Sequence, residues 1–248
     1  MPNANLLRTG LLNEFEEWRG KGEFVRAVDE ICGCVDSSNF FGQGNQWLRD
    51  AYLAAQFARL TKAERVRLVR GDRPDFEVEL RGGKILQVES TEAMEPSRRR
   101  GDELRAWGMA GGSSTFKVIG DWSKNRNRVV SSLAAAVLKK SAKANELKQK
   151  LTPYPDGTNL FVYLNISTFG EWEREIVAQF PRAVAEAKST FPVVWILWNG
   201  KLWRIPVDRT APRQIERRET HNLGWAIDRW RSMRALNAIF ATDRVRVA

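Results

Sequence analysis

Two acids stand where a cation could be held: Asp75, directly behind Pro74, and Glu89, 14 residues further on. Each lies in a short stretch of alternating apolar and polar residues, Asp75-Phe76-Glu77-Val78-Glu79-Leu80 and Ile85-Leu86-Gln87-Val88-Glu89-Ser90-Thr91. Such alternation marks a strand with one wet face. Arg81-Gly82-Gly83-Lys84 between them has the glycines of a tight turn. Side chains alternate along a strand, so Gln87, Glu89 and Thr91 share one face. Neighbouring strands lie about 4.8 Å apart, which lets an acid from each converge on one hard cation such as Mg²⁺ or Mn²⁺. An ion so held polarises a phosphate ester and acidifies its bound water, a route to phosphodiester hydrolysis without histidine. His221 is the only imidazole in the chain, so sites built on two or three histidines are excluded.

The surrounding pattern supplies the elements that would position these groups. Leu6–Trp18 and Phe24–Ile31 have apolar residues at helical spacing, and Gly33–Gly44 is rich in turn formers. Gln46–Leu60 is a stronger helix with Asn45 as its N-cap. Arg65–Val69 alternates as a strand ahead of the two acidic ones. Met94–Ser114 lacks periodicity and holds the run Arg98-Arg99-Arg100. A long helix is expected from about Asn125 to Gln149, with Val129, Leu133 and Val137 inside and Lys139, Lys140, Lys143 and Lys148 outside. Asn159–Ile166 reads as a strand covered on both faces, and Glu171–Lys188 as a helix. Asn199-Gly200 joins two apolar runs as the hairpin turn that strand twist favours. An Arg-rich tail follows, helical from about Leu223 to Phe240. This order gives an α+β fold with one mixed sheet flanked by helices.

Pro74-Asp75, the later Glu89-Ser90-Thr91, and the order helix, three strands, helix, strand together resemble the PD-(D/E)XK nuclease superfamily over roughly 46–166. The resemblance implies a restriction-endonuclease-like core over 45–206, a helical N-terminal extension over 1–44 and a basic helical C-terminal extension over 207–248. It implies a metal-dependent phosphodiesterase with Asp75 as the acid of the first motif and Glu89 as that of the second. Many members add an acid from the helix before the sheet; Asp50 is the position here that could match, and Glu64 is the other acid before the first strand. The family lysine, two residues after the second acid, is replaced by Thr91. In an alternative register Gln87-Val88-Glu89 is the second motif, with Gln87 as an amide ligand and Glu89 in the lysine place. Lys84 is a distant stand-in for the missing lysine, and Gln87 or Thr91 would orient water or phosphate.

Composition narrows the partners. Forty Lys+Arg against 30 Asp+Glu leave a net charge of +10, which favours an anionic partner, nucleic acid ahead of anionic lipid; the resemblance to the nuclease superfamily implies DNA ahead of RNA. Arg98, Arg99 and Arg100 could clamp a phosphate backbone, as could Lys139 and Lys140 from the long helix. No run of about 20 apolar residues could span a bilayer. Glu14, Glu16 and Glu17 interrupt any secretory signal, and Cys32 and Cys34 suit neither a disulfide nor a zinc site, so a reducing cytoplasm is expected. Gly82-Gly83-Lys84-Ile85 lacks the hydroxyl residue of a phosphate-binding loop. The expected function is Mg²⁺- or Mn²⁺-dependent nuclease action. The alternative is a catalytically degenerate nuclease-fold module that binds nucleic acid or a protein partner without cleavage, and a homodimer is compatible with either.

Overall fold

The structure is a computed structural model and describes residues 4–34, 46–71, 73–94, 122–166, 173–206 and 213–215. The described residues form two compact units, one running up to Ile85 and one from Leu86 onwards. Both combine helices with strands, and the second contains a mixed sheet, so the fold is α+β. Of the loop expected over Gly33–Gly44, Gly33 and Cys34 are helical, and the rest, with the arginine run at 98–100, His221 and the Arg-rich tail, lies outside the described residues. No described helix is long and apolar enough to cross a membrane.

In the first unit α1 (Ala4–Glu16), β1 (Arg19–Gly20) and α2 (Lys21–Cys34) precede α3 (Gln46–Leu60), β2 (Ala63–Leu68) and β3 (Phe76–Leu80). The expected break at 44/45 does not separate them in space: β1 pairs with β2, Arg19 opposite Val66, and α2 packs on α3. Most of α3 is buried, which suits its alanine-rich sequence between two packed neighbours. The β2–β3 pair is antiparallel, Val66 opposite Val78. Its apolar face carries Val66, Leu68, Phe76 and Val78, with the Phe76 ring edge-on to Phe57 of α3 at 5.7 Å. The opposite face is a charge ladder, Arg65 with Glu79 and Arg67 with Glu77, and both guanidinium groups lie over Trp18, at 5.3 and 4.8 Å. The alternation read from the sequence is therefore the alternation of a core face and a cross-strand ionic face. At the end of β3 the chain turns through Gly82 and Gly83, at φ of 93° and 80°, a backbone that side-chain-bearing residues resist.

The second unit holds β4 (Ile85–Ala93) from its second residue on, α4 (Trp122–Gln149), β5 (Asn159–Leu164), α5 (Glu173–Ala178), α6 (Phe180–Ala183), a 3₁₀ turn (Ala185–Ser189), β6 (Val193–Trp198), β7 (Lys201–Pro206) and β8 (Arg213–Ile215). Strands β4, β5 and β6 are parallel, while β6–β7 and β7–β8 are antiparallel. Parallel neighbours need a long crossover, and α4 lies in the connection from β4 to β5. Val129, Leu133 and Val137 of α4 join Leu160, Val162, Val194, Ile196 and Trp198 in one apolar cluster. The helix expected over Glu171–Lys188 is instead three short pieces. Pro181 sits in the first turn of α6, lacks an N–H, and its ring clashes with a continuing helix. The Asn199-Gly200 hairpin is present, with φ of 48° and 71° as a type I′ turn requires.

Candidate functional site

Glu89 lies on the central part of β4, held opposite Leu160 by the parallel ladder to β5. Its residue is 2 % exposed. Two donors reach the same carboxylate oxygen: Lys140 Nζ of α4 donates to Oε1 at 2.5 Å and Tyr154 Oη at 3.0 Å. Burying a carboxylate without partners is prohibitive, and a paired, hydrogen-bonded one is tolerated. Lys140 falls in the inward stripe of α4, three residues after Val137 and four before Ala144, and is half-buried with its ammonium on the acid. Sequence alone assigns Lys140 a phosphate contact; the structure turns it inward to Glu89, whereas Lys139 beside it is exposed. Ser131 is exposed and donates back to the Arg128 carbonyl at 3.2 Å, while Ser132 is buried.

Tyr154 has no counterpart in the sequence reading. The end of α4 places it. Leu151 takes a left-handed φ of 59°, Thr152 N–H donates to the Leu147 carbonyl at 3.0 Å, and Leu151 N–H to that of Lys148 at 3.2 Å. These bonds form a Schellman cap, in which glycine is the usual left-handed residue. Leu151 is 88 % exposed and has little packing to lose. Leu151→Gly should therefore stabilise the protein by about 0.5–1 kcal/mol, since relief of the left-handed strain outweighs the entropy glycine adds to the unfolded chain. A higher urea midpoint at constant slope is the expected reading. Just past the end of α4, Lys150 pairs with exposed Glu146 of its last turn and, by its hydrogen bond first and its charge second, holds that carboxyl below the usual range. Beyond the cap, Thr158 N–H donates to the Pro155 carbonyl at 3.2 Å. The Asn159 side chain bonds the Gly157 carbonyl at 3.0 Å and accepts from Trp195 Nε1 at 3.2 Å. The link from α4 to β5 is thus pinned at several points.

The other expected site residues are distributed as follows. Gln87 and Thr91 are half-buried and share the Glu89 face of β4 by strand alternation. The strand continues to Ala93, which puts Glu92 on the opposite face, where Asn165 Nδ2 donates to its Oε1 at 2.8 Å. Asp75 and Asp50 belong to the first unit and are both half-buried, Asp50 on α3 and Asp75 in the bend before β3. The Asp75 carbonyl accepts from Val69 N–H at 3.2 Å. Lys84 is exposed in the turn after β3, where its carbonyl accepts from Leu80 N–H at 2.8 Å. Among the described residues, no three His, Cys, Asp or Glu side chains gather as a ready metal cage. Taken singly, the side chains of Asp75, Glu89 and Gln87 each offer an oxygen donor, the type that hard ions such as Mg²⁺ or Mn²⁺ take. No known family model, curated protein or solved structure matches the chain.

Proposed function

We propose that this chain is a Mg²⁺- or Mn²⁺-dependent nuclease of the PD-(D/E)XK kind, acting on DNA in the cytoplasm, with its lysine supplied by α4 in place of the strand position filled by Thr91. The observation that carries this reading is the 2.5 Å contact between Lys140 and Glu89, which gives the second-motif acid the ammonium that its own strand lacks. The chain order α3, β2, β3, β4, α4, β5, with β4 and β5 parallel, supports it. Asp75 and Glu89 would hold the ion, with Asp50 adding an acid through water. When bound, the ion supplies a polarised phosphate and an acidified water. Lys140 presents positive charge beside the acid, Gln87 and Thr91 present an amide and a hydroxyl on the same strand face, and Arg98, Arg99, Arg100 and Lys139 serve the phosphate backbone.

The test is cleavage of supercoiled and linear DNA, with RNA in parallel, in Mg²⁺, Mn²⁺ and EDTA. Residues around metal ligands typically contribute 10–100-fold, so Asp75→Asn and Glu89→Gln, which touch proposed ligands directly, should each reduce cleavage by about a hundredfold or more. Cleavage retained in both variants, or unaffected by EDTA, removes the proposal. The burial of Glu89 favours a second reading, a decayed nuclease fold that binds nucleic acid without cutting it. That reading predicts no cleavage by the wild type and salt-sensitive binding that survives both EDTA and Asp75→Asn.

A further inference from the structure

Tyr154 is held in place by its ring and its backbone as well as by its hydroxyl. Its ring lies 5.6 Å from the Phe191 ring, tilted by 53°, and the residue is 8 % exposed. Pro153 and Pro155 flank it, fixing φ on both sides and restricting Tyr154 itself to extended backbone. The left-handed Leu151 directs the chain into this segment. A phenylalanine would fill the same space. The hydroxyl instead donates to Oε1 of Glu89, the oxygen that also takes the Lys140 ammonium. Two donors from separate segments on one oxygen fix the plane of a carboxylate, and an ammonium bound to that oxygen is fixed with it.

We infer that Tyr154 is a positioning residue, which orients the Glu89 carboxylate and, through it, the Lys140 ammonium; this rests on the nuclease reading of those two groups. The hydroxyl acts from a preorganised mount, so its removal loosens the pair without moving the ring. Removing a group that orients a site residue typically lowers activity by 10–100-fold.

The experiment compares full-length wild type, Tyr154→Phe, Glu89→Gln and the double variant, by urea unfolding and by steady-state DNA cleavage in Mg²⁺. In cleavage, Tyr154→Phe should lower kcat by about tenfold or more with KM unchanged. In unfolding, Tyr154→Phe should change the equilibrium constant about tenfold more in the wild-type background than in Glu89→Gln, because a hydrogen bond to a charged group is the stronger kind. Equal effects in the two backgrounds overturn the inference, and the unfolding cycle shows this even if Tyr154→Phe lowers stability. Unchanged kcat in a folded Tyr154→Phe overturns it as well, while wild-type cleavage leaves the nuclease reading intact. A wild type that cuts nothing removes the nuclease reading and the positioning role together, and the unfolding cycle then reports a structural bond only.

Discussion

Replacing Lys140 by methionine should destabilise the protein by about 3 kcal/mol, the lower end of the range for removing one partner of a buried ion pair. The lower end applies because the Lys140 side chain is 18 % exposed, so water can partly reach the vacated position, whereas the Glu89 side chain is 2 % exposed. Methionine keeps most of the stem volume and continues the apolar stripe of α4, which isolates the loss of the ammonium from loss of packing. Glu89 then retains the Tyr154 bond but loses the Lys140 charge. A second substitution, Glu89→Gln, removes the buried charge that Lys140 had balanced and should recover part of the loss, so that Lys140→Met/Glu89→Gln is more stable than Lys140→Met alone. Urea unfolding followed by tryptophan fluorescence reads both, with Trp195, Trp198 and Trp203 in the same unit. A cost for Lys140→Met of about 0.5 kcal/mol or less is what an exposed charge would give, and would show that the pair does not form in solution.

The parts of the fold that were legible in sequence are those whose signal is local. Gln46–Leu60 has helical spacing, no interior Gly or Pro and a capping residue before it, and α3 spans those same residues. The Asn199-Gly200 and Gly82-Gly83 turns follow from backbone angles that few other residues adopt. Strands β1 and β8 have two and three residues, too few for any period, and exist only because a neighbouring strand offers a ladder. The helical reading of Glu171–Lys188 failed at Pro181, whose backbone effect outweighs side-chain periodicity. The site divides in the same way. The common face of Gln87, Glu89 and Thr91 is a matter of period two and was readable. The inward turn of Lys140 was also present as a place in the Val137–Ala144 stripe, but a lysine reads as a surface residue by type. Tyr154 meets Glu89 across 65 residues of chain, a contact no window of sequence contains; its only local sign is a tyrosine locked between two prolines at a helix end.

Moving the lysine back to the strand should separate a catalytic pair from a scaffold pair. Thr91 is two residues beyond Glu89 on the same face of β4 and is half-buried. Residues two apart on a strand are about 6.6 Å apart, a span that the four-carbon stem of lysine can cover to return its ammonium to the Glu89 carboxylate. Thr91→Lys alone places a second cation near Lys140, and like charges should make it neutral or destabilising. In the Lys140→Met background the same substitution supplies the missing counter-charge, and the double variant should recover about 1 kcal/mol or more of the lost stability. If the pair serves phosphodiester hydrolysis, cleavage should recover by about tenfold or more over Lys140→Met, since an ammonium beside the second acid is the shared requirement and its element of origin is not. Stability regained without cleavage, from a wild type that cleaves, would mean that the ammonium must approach from α4. A double variant no better than Lys140→Met in either measurement would show that electrostatic pairing at Glu89 depends on the full α4 geometry, and would remove the equivalence between Lys140 and the strand lysine on which the nuclease reading leans.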